Sequence, residues 1–129
     1  MATPAIPEHI ARFIREHIHS VLQLEMLLLL RERGGEWTPT ALAAELRITD
    51  QSSDFRLRDL ALRGFLVQVP ETKAYRYAPR SEELDALVAE LDECYARTRY
   101  TVINLIFSVP GDSARSLAEA FRIRRKKDD

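Results

Sequence analysis

The segment from Trp37 to Pro79 constrains the fold more than any other part of the chain. Thr38 followed by Pro39 is typical of a helix start, because threonine can accept a hydrogen bond from a free backbone N–H and proline has no N–H to leave unpaired there. Apolar residues then recur at helical spacing, which predicts a short helix with one buried face. These residues are Leu42, Ala43 and Leu46.

A second helix and a hairpin are predicted in the same segment. Thr49 or Asp50 can cap this helix, and Gly64 is placed to end it because glycine readily adopts the conformation found beyond a helix C-terminus. Its inward residues recur three and four positions apart: Ser53, Leu57, Leu60 and Ala61. Two β-favouring runs then flank a four-residue tip, which predicts a hairpin. The runs and the tip are residues 65–69, 74–77 and 70–73.

This order of elements resembles the winged helix-turn-helix of small bacterial transcription regulators, loosely the MarR-like group. The resemblance rests on LAAEL, on the spaced set L-x-x-L-x-x-x-G-F-L that begins at Leu57, and on Tyr75-Arg76-Tyr77. It implies a mainly α fold with a small β-hairpin wing and long flanking N- and C-terminal helices. It also implies a regulator that binds double-stranded DNA. Winged helices serve as protein-binding modules too, so the pattern leaves a second function open.

Residues 8–33 and 81–109 are expected to form the flanking helices. The first segment has helical periodicity with a slight break near His19, so it is either one long helix or two abutting helices. The second begins with Ser81 and an acidic first turn, and it carries a heptad-like apolar stripe. Because its second half is apolar on more than one side, it needs either the N-terminal helix or a second copy of the chain as a partner, and we favour a homodimer. The residues expected at such an interface are Leu91, Tyr95, Val102, Leu105 and Ile106.

The distribution of charge bears directly on DNA binding, because phosphate neutralisation supplies much of the affinity. The chain has a net charge of −1. Residues 45–80 hold seven basic and five acidic side chains, a net charge of +2, whereas residues 81–109 have a net charge of −4. The strongest positive cluster lies at the end of a basic C-terminal helix that is predicted over residues 113–127. There it complements the helix dipole, or it contacts phosphates or an acidic partner. The winged-helix segment itself is only mildly positive.

Length and composition indicate one globular domain over residues 1–129, with 46% hydrophobic and 30% charged residues. The lone Cys94 excludes an internal disulfide and is expected to be buried. The apolar run at residues 26–30 is too short to cross a bilayer, and the N-terminus lacks the features of a signal peptide. We therefore predict a cytoplasmic protein without membrane association.

The sequence contains no Gly-rich phosphate loop, no H-E-x-x-H and no G-x-S-x-G motif. His17 and His19 lie on different faces of a helix, with no cluster of cysteines or carboxylates beside them. We therefore expect no enzymatic activity, no cofactor and no metal site. A small-molecule sensor, with a pocket between the long helix and the winged-helix segment, stays open as a third function class.

The second helix and the hairpin carry the residues expected to bind DNA. In a helix-turn-helix, the N-terminal and outward residues of the second helix reach base edges, and a wing contacts the backbone or the minor groove. Glutamine suits adenine, arginine suits guanine or phosphate, and lysine at a wing tip suits phosphate. The expected DNA-binding residues are Gln51, Ser52, Arg56, Arg58, Arg63, Lys73 and Arg76.

The same helix also carries apolar and acidic side chains that favour a different partner. Phe55 and Leu62 lie seven positions apart on the outward face, and an exposed apolar pair often marks a protein contact. Asp54 and Asp59 would repel phosphates. The alternative function is therefore a protein–protein interaction module that docks on transcription or signalling machinery without reading DNA. A further interpretation is that the long helices of the domain cover Phe55.

Overall fold

The computed structural model describes residues 6–108, which form six helices and one two-stranded antiparallel hairpin. The predicted mainly α composition with a small hairpin is therefore confirmed. The basic helix predicted over residues 113–127 lies outside the described residues. In chain order the elements are α1 Glu8–His17, α2 Val21–Arg33, α3 Pro39–Leu46, α4 Asp50–Leu62, β1 Leu66–Gln68, β2 Tyr75–Tyr77, α5 Glu82–Arg97 and α6 Arg99–Ser108.

The described chain divides into two compact units. One unit is Leu22–Glu90, which contains α3, α4 and the hairpin. The other comprises residues 6–21 and 91–108, and within it α1 packs against α6. The organisation of residues 1–129 as a single domain stays a prediction.

The predicted helix starts at Thr38, Thr49 and Ser81 are confirmed. Each of these hydroxyl oxygens accepts a hydrogen bond from the backbone N–H three residues further on, at 3.0–3.1 Å. Such a cap stabilises a helix by about 1 kcal/mol, because it satisfies an N–H that the helix itself cannot pair. Local sequence therefore determines where α3, α4 and α5 begin.

Two helices form where the sequence predicted one over residues 81–109. The division lies at Thr98, whose hydroxyl and backbone N–H both donate to the carbonyl oxygen of Cys94, at 2.8 and 2.7 Å. A threonine hydroxyl that bonds to the carbonyl four residues earlier often bends a helix. The apolar stripe is consequently shared between α5 and α6. Residues 8–33 also form two helices, which is one of the two predicted alternatives.

A tight turn joins α3 to α4. Only three residues separate the two helices, and Arg47 among them adopts a left-handed conformation with φ of 57°. The Ile48 N–H donates to the carbonyl of Ala43 at 3.0 Å. The fully buried Ser53 hydroxyl donates to the carbonyl of Pro39 at 2.8 Å, which fixes the start of α4 against the start of α3.

The hairpin is held to the rest of its unit by a residue that the sequence analysis did not place in the sheet. Trp37 forms an isolated bridge with Tyr75, in which each backbone N–H donates to the other residue's carbonyl, at 2.8 and 2.7 Å. In the hairpin itself, Leu66 lies opposite Tyr77 and Gln68 lies opposite Tyr75. The bridge therefore ties the strand β2 to the segment that enters α3.

A polar cluster at Tyr77 makes unfolding depend on pH. Its hydroxyl donates to the Asp85 carboxylate at 2.6 Å, and the Arg31 guanidinium lies 3.6 Å from the same carboxylate oxygen. Burial, followed by the hydrogen bond to Asp85, raises the pKa of Tyr77 above its usual value of 10.0. Because the folded-state pKa exceeds the unfolded one, this stabilisation is complete below about pH 10 and is lost as the pH rises further.

Tyr77→Phe is expected to lower the free energy of unfolding by about 1 kcal/mol at pH 7, since it removes one half-buried hydrogen bond. The variant should also lose less stability than the parent protein between pH 9 and 11. Urea unfolding at these pH values measures both effects. An equal loss of stability in the two proteins above pH 10 would contradict the assignment of this pH dependence to the Tyr77 hydroxyl.

Candidate nucleic-acid interface

The helix α4 presents one outward face, as predicted. Of the side chains predicted to point inward, Ser53, Leu57 and Leu60 are fully buried, whereas Ala61 is half-buried. The exposed side chains recur at spacings of three and four on the opposite side, which is the geometry of a single helical face. This α4 outward face consists of Gln51, Phe55, Arg58 and Leu62.

The α4 outward face is partly apolar. Phe55 is 69% exposed and Leu62 is 84% exposed, so both place large apolar surfaces in solvent. The interpretation that the flanking helices cover Phe55 is therefore wrong. That interpretation assumed that a large apolar side chain is buried. The assumption does not hold for every residue, because apolar atoms make up much of the surface of a folded protein.

Ion pairs engage two of the arginines near this face. The Arg58 guanidinium lies 2.8 Å from the carboxylate of Asp54, one turn earlier on the exposed side of the helix. The half-buried Arg63 guanidinium lies 3.0 Å from Asp59, whose carboxylate also accepts a hydrogen bond from the buried Gln23 side chain. Arg63 is thus held in a network that joins α4 to α2, rather than on the α4 outward face.

The predicted DNA-binding residues fall into two groups. Ser52, Arg56 and Arg63 are half-buried. The Ser52 backbone N–H donates to the Thr49 cap, so this residue helps to begin the helix. The exposed group lies on two elements, α4 and the hairpin, and consists of Gln51, Arg58, Lys73 and Arg76.

An open cleft of about 490 Å³ lies between α4 and the hairpin. Burial raises the pKa of Tyr75 in this cleft, and the negative charge of Asp54 raises it further whereas Arg58 opposes the rise. Two cations, Arg58 and Lys73, therefore line the cleft together with the carboxylate of Asp54. Its lining residues are Pro39, Asp54, Arg58, Gln68, Lys73 and Tyr75.

The backbone at the hairpin tip is fixed by local hydrogen bonds. Lys73 has a positive φ of 60°, and its N–H donates to the carbonyl of Val69 at 2.7 Å. The Gln68 side chain donates to the carbonyl of Lys73 at 3.3 Å. Gln68 and Tyr75 were not predicted as cleft residues, although alternation along paired strands places cross-strand neighbours on one side of the hairpin.

The residues predicted at a dimer interface are placed mostly in the core. Leu91, Val102 and Ile106 are buried, and Tyr95 and Leu105 are half-buried. A heptad-like stripe predicts burial without specifying whether the same chain or another provides the covering surface, and here α1 packs against α6. The large apolar side chains that α6 does expose are Tyr100 at 76% and Phe107 at 74%.

Cys94 is buried, as predicted. No group of three or more histidine, cysteine, aspartate or glutamate side chains among residues 6–108 is arranged to hold a metal ion. None of the helices in this described part of the chain has the length and apolar character needed to cross a membrane.

Comparison with known proteins finds no matching family model, no matching curated protein and no matching solved structure. Function is therefore inferred from the geometry of α4 and the hairpin.

Proposed function

We propose that this protein is a DNA-binding transcription regulator of the winged helix-turn-helix type, loosely similar to the MarR-like group. In this proposal α4 enters the major groove and the hairpin is a wing that contacts the DNA backbone. The supporting observation is the three-residue turn between α3 and α4, together with a hairpin that follows α4 and whose cations are exposed. A short turn between two helices, the second of which lies in the major groove, is the geometry of this class of DNA-binding protein.

Gln51 and the exposed cations have different roles in the proposed complex. Gln51, in the first turn of α4, pairs with the N6 and N7 atoms of adenine. Lys73 and Arg76 on the hairpin contact phosphates, which orient the protein without reading sequence. Arg58 exchanges its ion pair with Asp54 for a phosphate or a guanine.

The proposed regulator acts as a cytoplasmic homodimer. Tyr100 and Phe107 support self-association, because they lie seven positions apart on α6 and expose large apolar surfaces. A symmetric dimer would place two copies of α4 on two half-sites of one duplex.

Binding of the purified protein to selected and random-sequence duplexes, measured across a salt series with the mass in solution, tests this function. We expect a dimer that prefers the selected duplex and whose affinity falls steeply with salt. Two phosphate contacts in each subunit of a dimer would give a slope of log K against log salt of about −4, and a third contact from Arg58 would make it about −5. Absence of binding at low salt, or equal affinity for all duplexes, would contradict the proposal.

Asp54→Asn is expected to tighten duplex binding by about fivefold, because it removes a negative charge from the cleft and releases Arg58 for a phosphate. Glu45→Gln is the matched control. It also removes one carboxylate from an exposed ion pair, with Arg33 at 2.8 Å, but Glu45 does not line the cleft. Fluorescence anisotropy with the selected duplex compares the variants, and an equal gain from both would mean that only net charge matters.

A protein–protein interaction module is the second candidate function. The exposure of Phe55 and Leu62, together with the pairing of Arg58 by Asp54, favours it. In that case Phe55→Ala would abolish capture of the partner and leave the weak affinity for DNA unchanged. Leu62→Ala should then have a similar effect, since both side chains lie on the same face.

A further inference from the structure

We propose that Phe55 reads the 5-methyl group of thymine in the major groove. Each half-site would then contain an A·T pair beneath the N-terminal half of α4. This inference rests on the proposed function, and it explains why a helix that faces DNA exposes a large aromatic side chain.

The position of Phe55 on α4 places it for base contact. Phe55 follows Gln51 by four residues on the same exposed face, so the two side chains are separated by about 6 Å along the helix axis. That distance is less than two base-pair steps of about 3.4 Å. Base contacts in a helix-turn-helix come from the N-terminal part of the second helix, which here includes both residues.

The chemistry of the major groove leaves one suitable apolar partner. Guanine, cytosine and adenine present hydrogen-bond donors and acceptors there, whereas thymine presents an acceptor and the 5-methyl group. Phe55 cannot form a hydrogen bond, and contact with phosphate would remove water from a charge without compensation. Burial against a methyl group instead removes apolar surface of both partners from water.

The pairing of charges on α4 supports this assignment. The Asp54 carboxylate lies 2.8 Å from the Arg58 guanidinium, so it offsets the cation that shares the α4 outward face with Phe55. A DNA-binding face whose charges are balanced gains less binding free energy from phosphate contacts than a basic face does. Base-edge contacts by Gln51 and Phe55 would then make a correspondingly larger contribution to selectivity.

Leu62 provides an internal control. It lies on the same outward face and is more exposed than Phe55, but it is the last residue of α4. It therefore lies two turns beyond Phe55, away from the end of the helix that reaches base edges. Truncating Leu62 removes a similar apolar surface without removing the proposed thymine contact.

The test combines Phe55→Ala with replacement of single thymines by deoxyuridine in the selected duplex. Deoxyuridine pairs as thymine does and lacks only the 5-methyl group. For the parent protein we expect one such replacement in a single half-site to weaken binding by about fourfold. The same replacement in both half-sites of the dimer should weaken binding by about fifteenfold. Phe55→Ala should bind both duplexes equally, whereas Leu62→Ala should discriminate as the parent protein does.

The outcomes separate this inference from the proposed function. If the parent protein binds the selected duplex but no single replacement affects it, or if Phe55→Ala discriminates as well as the parent protein, thymine reading by Phe55 is overturned and DNA binding stands. If the parent protein binds no duplex, the proposed function fails and the inference fails with it. Thermal unfolding of Phe55→Ala should match that of the parent protein, because the side chain is exposed.

Discussion

Replacing Leu60 with alanine is expected to lower the free energy of unfolding by about 2–5 kcal/mol, one of the two largest effects that the structure implies. Leu60 is fully buried on the inner side of α4, in the unit formed by Leu22–Glu90. Its truncation removes three buried carbon atoms and leaves a cavity that the surrounding side chains fill only in part. Since a small domain is stable by only about 5–15 kcal/mol, this loss is a large share of its total stability.

Leu62→Ala is the matched control for this prediction, because the same residue type on the same helix is 84% exposed. Its effect on the free energy of unfolding should stay within about 0.5 kcal/mol. Urea unfolding followed by circular dichroism measures both variants. Similar destabilisation by the two substitutions would contradict the assignment of Leu60 to the core and Leu62 to the surface.

Replacing both Lys73 and Arg76 with alanine is the second large-effect prediction. A dimer would lose four phosphate contacts, and at about 1 kcal/mol for each the affinity for the selected duplex should fall by roughly a hundredfold to a thousandfold. The slope of log K against log salt should become less negative by about 1 for each phosphate contact removed. Both side chains are exposed on the hairpin, so the unfolding free energy should change little.

The control for the hairpin variant removes the same charge from another part of the chain. Arg12 and Arg15 are exposed on α1, outside the unit that contains α4 and the hairpin. Replacing both with alanine should leave the affinity within about threefold of the parent protein, because only long-range steering is lost. Equal losses from the two double variants would mean that net charge, and not contact by the hairpin, determines the affinity.

Local signals made the elements of the Leu22–Glu90 unit predictable. A hydroxyl cap fixes a helix start within one turn, so Thr38, Thr49 and Ser81 could be recognised from sequence alone. Gly64 adopts φ of 93°, a conformation that few other residues adopt, and it marks the end of α4. The inward and outward faces of α4 could be predicted from helical spacing, because side chains three and four positions apart lie on the same side of a helix.

Features that depend on distant parts of the chain were not predictable in this way. The Asp59 carboxylate accepts from Gln23, 36 residues earlier, and no local pattern places Arg63 in that network. The apolar stripe of α5 and α6 showed that these helices are covered, but it could not identify the covering surface. At the break between α5 and α6, the Thr98 hydroxyl donates to the carbonyl of Cys94, a contact that a heptad pattern does not encode.

In the proposed function, α4 and the hairpin together form the DNA-binding surface. A map of backbone amide NMR shifts, recorded with and without the selected duplex, tests this placement. The proposed complex predicts the largest shifts in residues 51–58 of α4 and residues 70–76 of the hairpin, with α6 little changed. Shifts confined to α6, or their absence from α4 and the hairpin while the duplex is bound, would contradict the claim.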